Sequence, residues 1–112
     1  IDAGMNDLIR PALYSAEQVV VPAEQREGSA LKYDIVGPVC ESADWLARDR
    51  ALALAEGDLL AILSSGAYGM VMASNYNSRG RPAEVMIDGA TATLIRPRET
   101  PEQLYASERL LP

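Results

Sequence analysis

The stretch "AEVMIDGATATLIRP", residues 83–97, decides the fold class. Val85 and Ile87 alternate toward Asp88-Gly89, and Thr91, Thr93 and Ile95 alternate beyond it. Two such runs around Asp-Gly predict a hairpin, because glycine adopts positive φ at little cost. Upstream, "EQVVVPA" (17–23) and "KYDIVGPV" (32–39) read as short strands, each stopped by a proline. "GDLLAILSSGAYG" (57–69) holds a five-residue apolar run bounded by glycines, which predicts a strand buried on both faces. "DWLARDRALALAEGD" (44–58) reads two ways. Its Ala, Leu, Arg and Glu favour a helix capped by Asp44, while Trp45 and Ala47 alternate as a strand would. Near the C-terminus, "TPEQLYASERLL" (100–111) predicts a short helix with Thr100 as N-cap, Pro101 at its first position and Gln103 completing a capping box. The sum is a mainly-β domain, a barrel or sandwich with one short C-terminal helix.

Composition narrows the function classes. The chain has 112 residues, 48% of them hydrophobic, enough for one domain and one core. No apolar run approaches the roughly 20 residues of a membrane helix, and no secretory leader pattern opens the sequence. A net charge of −6 argues against a nucleic-acid surface. Arg79 and Arg81 in "NSRGRP" (77–82) come nearest to a basic patch and read as a solvated loop. Histidine is absent, which excludes Ser-His-Asp and Cys-His catalysis and a histidine-ligated zinc, and no metal is expected. The single cysteine, Cys40, cannot form an internal disulfide and fits a reduced cytoplasmic setting. The opening "IDAGMND", without an initial Met, is expected to belong to a longer chain.

Four pieces stand in a particular order: "DAGMNDLIRPALY" (2–14), "VGPVCES" with Asp44 (36–44), "GDLLAILSSGAYG" (57–69) and "SNYNSRGRPAEV" (74–85). Together they resemble the C-terminal part of diaminopimelate decarboxylases, pyridoxal-phosphate enzymes of the alanine-racemase-like fold. The resemblance covers nearly all of residues 1–112. It implies a C-terminal β-domain packed against a TIM-type (β/α)8 barrel that carries the Schiff-base lysine. Lys32, the only lysine, lies in "GSALKYD" (28–34) and does not match that position.

The implied reaction converts meso-2,6-diaminopimelate to L-lysine and CO2, a carboxy-lyase step of lysine biosynthesis. Pyridoxal 5'-phosphate acts as the electron sink, and a positioned acid must reprotonate Cα. By resemblance that acid is Cys40, although an isolated cysteine reads first as a buried filler. Glu41, alone a solvated turn carboxylate, is implied to accept the substrate's distal ammonium. The related ornithine-type enzymes carry Asp there, so Glu41 leans toward diaminopimelate. Arg10 and Tyr14 in "IRPALY" would hold the distal carboxylate, a bidentate guanidinium aided by a phenol. Tyr68 in "SGAYG" is implied at the cofactor phosphate and near the substrate, with Gly66 and Gly69 allowing close backbone approach. Asp2, Asn6 and Tyr76 belong to the resemblance without an assigned role. Ala43 departs from the glycine more usual there, which would matter only at positive φ.

The family further implies a homodimer with shared sites. Cys40 and Glu41 of one subunit complete the site around the other's lysine, while Arg10, Tyr14 and Tyr68 share a subunit with that lysine. This chain alone is expected to be inactive. Two other readings remain open at this point: a non-catalytic binding or regulatory module of the same fold, and a related ornithine- or arginine-type decarboxylase.

Overall fold

The computed structural model describes residues 1–112 and is mainly β, the class expected. In chain order it runs α1 (Arg10–Tyr14), β1 (Val20–Pro22), β2 (Leu31–Val36), β3 (Trp45–Leu52), β4 (Leu60–Ile62) and α2 (Gly69–Met72). A 3-10 turn (Tyr76–Ser78), β5 (Glu84–Asp88), β6 (Thr91–Arg96) and α3 (Pro101–Tyr105) follow. The strands pair as three antiparallel two-stranded ladders, β1 with β4, β2 with β3 and β5 with β6. No helix is long and apolar enough to cross a membrane.

The two-way segment settles as strand β3, because β2 offers it a ladder and the core takes its apolar side chains. Leu46, Ala47 and Leu52 pack there with Leu8, Val20 and Ile35. Helix propensity is a weak prior, and burial in this cluster overrides it. The ladder is irregular: Tyr33 faces Arg50, but Ile35 faces Ala47 and Val36 faces Trp45. Asp49 takes up the extra length at φ 53°, its N–H donating to Asp34 Oδ1 at 2.9 Å. Such bulges re-aim a strand, and this one leads back to the turn that carries Cys40.

The apolar run at 59–63 departs from expectation. Its strand, β4, is three residues long and half-buried, and Leu59 is 76% exposed. A single partner strand, β1, and core contacts through Leu60 and Ile62 leave the rest of the run in solvent. The hairpin and C-terminal helix form as predicted. Asp88 pairs with Thr91 across Gly89-Ala90, with Gly89 at φ +56°. Thr100 and Gln103 complete the capping box of α3.

Candidate functional site

Cys40 and Glu41 lie at the exposed tip of a turn whose base is tied by one residue. The Gly37 N–H donates to the Asp44 carbonyl at 2.9 Å, and the Asp44 N–H to the Glu41 carbonyl at 3.0 Å. Asp44, 4% exposed, caps no helix; its carboxylate takes the Val39 N–H on Oδ2 and the Met5 N–H on Oδ1, both at 2.6 Å. A buried carboxylate is tolerated when hydrogen bonds replace its water, and two backbone donors do so here. The turn is thereby fastened to the N-terminal segment 39 residues away. A Cβ at Gly37 would overlap both Asp44 carboxylate oxygens, so the close approach requires glycine. Ala43 sits at negative φ and is accommodated without strain.

Glu41 does not hang free in solvent. Its Oε1 accepts the Tyr76 hydroxyl at 2.7 Å. That bond, then the Glu41 charge, desolvation and nearby Cys40, hold the phenol above its ordinary titration range, so it remains a donor. Tyr76 opens the 3-10 turn, where Asn77 (φ 61°) and Ser78 (φ 56°) are both left-handed. Two such non-glycine residues in succession are uncommon and must be held by their surroundings.

The holding groups are the two arginines that the sequence reads as solvated, and that reading is corrected here. Arg79 donates from Nε to Asn6 Oδ1 at 3.0 Å and from Nη2 to the Asp2 carbonyl at 2.6 Å. Asn6 is itself buried, at 2% exposure. Arg81 donates from Nη1 to Asn75 Oδ1 at 3.0 Å and to Glu99 Oε1 at 3.1 Å. Glu99 Oε2 in turn accepts the Arg81 N–H at 2.9 Å and Asn75 Nδ2 at 2.6 Å. Those donors, the Arg81 N–H first, keep the Glu99 carboxyl below its usual range. Asp2 and Asn6, unassigned from sequence, are thus clamps. The Arg79 partner Asn6 is 73 residues distant, so no local pattern signals it.

Arg10, Tyr14 and Tyr68 form a second group. Helix α1 sets Arg10 and Tyr14 at i and i+4 on one face. The Arg10 guanidinium carbon lies 5.4 Å from the Tyr14 ring centroid and 5.2 Å from that of Tyr68, within cation–π reach of both. Its N–H donors bond nothing in the chain, and both tyrosines are exposed. A Cβ at Gly66 or Gly69 would meet nothing within 4 Å, so space is open on both sides of Tyr68. The left-handed residue is Tyr68 itself, at φ 62°. A bulky side chain in that region is strained, as residues at functional sites often are. No hydrogen bond or ion pair joins this group to the Cys40 turn. Lys32 stands apart, 78% exposed and 3.6 Å from Asp49.

The family model for the C-terminal sheet domain of pyridoxal-dependent decarboxylases matches residues 1–66. Diaminopimelate decarboxylases of Pseudomonas aeruginosa and Vibrio cholerae are each 60% identical over the whole of this chain, which covers 27% of either protein. The solved diaminopimelate decarboxylase of M. jannaschii in complex with L-lysine is 45% identical, with a TM-score of 0.93 over 99% of this chain and 26% of that one. The chain therefore spans about a quarter of the length of these relatives.

Proposed function

Because this chain belongs to the pyridoxal-dependent decarboxylases, as their C-terminal sheet domain, we propose that it supplies the substrate-recognising side of a diaminopimelate decarboxylase. The product would be L-lysine, formed with CO2 from meso-2,6-diaminopimelate. The observation that carries the reading is the convergence of Arg10 with Tyr14 and Tyr68, a free guanidinium between two exposed phenols. A guanidinium with unused donors suits the distal carboxylate, which diaminopimelate has and ornithine lacks.

The residues present fit one wall of a pyridoxal-phosphate site. Tyr68, strained and facing open space, is suited to the phosphate side. The amine that would hold the cofactor is not supplied, since Lys32 is solvated beside Asp49 and nothing desolvates it. A barrel domain in the longer enzyme would bring that amine. When bound, the cofactor withdraws electrons from Cα and weakens its bond to the carboxylate. This chain's residues do the rest. Arg10 and Tyr14 grip the far carboxylate, Glu41 takes the far ammonium, and Cys40 gives a proton to the carbon that has lost CO2.

Two separate groups in one chain favour a homodimer with shared sites, in which the Cys40 turn of one subunit completes the site around its partner's lysine. A cytoplasmic location would keep the exposed Cys40 thiol reduced. Steady-state kinetics of the full-length enzyme tests the assignments. Cys40→Ala should cut lysine formation by about 10² to 10⁴ while substrate binding stays near normal. Arg10→Ala and Glu41→Ala should weaken binding and turnover together. Normal turnover and normal lysine yield per CO2 in Cys40→Ala would reject the thiol as proton donor.

A further inference from the structure

Glu41 has two carboxylate oxygens, and only Oε1 is engaged, by the Tyr76 hydroxyl at 2.7 Å. Oε2 accepts no hydrogen bond from the chain, and Glu41 as a residue is exposed at the tip of the turn. We infer that Tyr76 is a positioning residue for Glu41: its hydroxyl fixes one carboxylate oxygen so that the other meets the substrate's far ammonium. The inference rests on the reading of Glu41 given above.

Three observations carry it. A glutamate on an exposed turn has several rotamers to lose on binding a ligand, and a bond made beforehand removes that loss from the binding step. The phenol is itself a fixed donor, because the segment around it is clamped from three directions. Asn75 reaches Glu99, Arg79 reaches Asn6 and Asp2, and Arg81 reaches Ala73, Asn75 and Glu99. The strain at Asn77 and Ser78 follows Tyr76 directly, so the clamps hold the turn in a conformation that it would otherwise leave. A hydroxyl meant only for solvent needs none of this. Its raised titration range agrees, since the phenol stays a donor through the neutral range.

The test separates positioning from folding by the choice of ligand. The carbon that loses CO2 becomes the ε-carbon of lysine, so lysine keeps the substrate's far end, ammonium and carboxylate both. 6-Aminohexanoate is lysine without that ammonium. Calorimetric affinities of both are measured on the full-length holoenzyme, its Tyr76→Phe and Glu41→Ala variants and the double variant. Tyr76→Phe should weaken lysine by about 5- to 10-fold, the scale of one charge-assisted hydrogen bond partly replaced by water. Binding of 6-aminohexanoate should stay within about twofold, and Tyr76→Phe should add nothing once Glu41 is alanine. Equal weakening of both ligands, or unchanged lysine affinity, overturns the inference. If Glu41→Ala lowers the preference for lysine but Tyr76→Phe does not, the inference fails alone. If Glu41→Ala leaves that preference unchanged, the assignment of Glu41 fails and takes the inference with it.

Discussion

The turn of residues 37–44 and the β5–β6 hairpin are both short chain reversals, held by different means. The turn is fastened by a buried carboxylate and by a close glycine contact. The hairpin is held by its own ladder, and Val85, Met86, Ile87, Leu94 and Ile95 are all more than half exposed. Since neighbours along a strand point to opposite faces, both faces of the hairpin are apolar and uncovered. An isolated two-stranded hairpin is marginal in water. The molecule is accordingly drawn out, with a radius of gyration of 16.2 Å against about 13 Å for a compact chain of this size. The polar turn is held by bonds to its own buried carboxylate, whereas the apolar hairpin has only its ladder and leaves its large apolar side chains more than half exposed.

The largest break in this contrast should come from Asp44→Ala. It strips the buried Val39 N–H and the part-buried Met5 N–H of their carboxylate acceptor, and a loss of about 3 kcal/mol in denaturant unfolding is expected. Gly37→Ala attacks the same hub by steric overlap and should cost about 2 kcal/mol in that assay, with the Met5 and Val39 amides exchanging faster. Acid comes next and acts on the clamp of the Tyr76 segment. Glu99 titrates below its unfolded value, so its contribution is present above about pH 4 and lost as pH falls through the depressed folded value. Amide exchange at residues 75–81 should therefore rise below about pH 4, an effect smaller than either substitution. Ile87→Thr keeps a β-branched residue on a strand already in solvent and should change the stability of this chain by less than about 0.5 kcal/mol. The same substitution in a longer protein that carries this domain sharpens the contrast, because a cost of about 2 kcal/mol there would mean that another domain covers the hairpin.

Legibility in the sequence follows the range of the interactions. The Asp88-Gly89 turn and the Thr100–Gln103 capping box close over a few residues, and both are plain from local chemistry. Segment 44–58 reads two ways because its helix propensity is real, and its partner strand β2 lies outside the window. The run at 59–63 is read as buried on both faces because apolarity alone does not report how many partners a strand finds. Among candidate residues, Arg10 and Tyr14 meet through helical spacing, but the contact of Arg10 with Tyr68 spans more than half the chain. Arg79 and Arg81 look like loop charges until their distant acceptors are known. Asp44, visible as a possible cap and as the end of the second motif piece, is the hub of the turn.

That hub also sets which changes the turn can absorb over evolutionary time. Its shape depends on backbone groups and on the side chain of Asp44, while the side chains of Cys40, Glu41 and Ser42 contribute nothing to the bonds at its base. Residues at the tip are therefore free to drift, one methylene or one charge at a time, without unfolding the loop that presents them. Its length is not free. One residue inserted between Val39 and Asp44 would carry the carboxylate away from its amide, so the tip can change by replacement far more readily than by insertion.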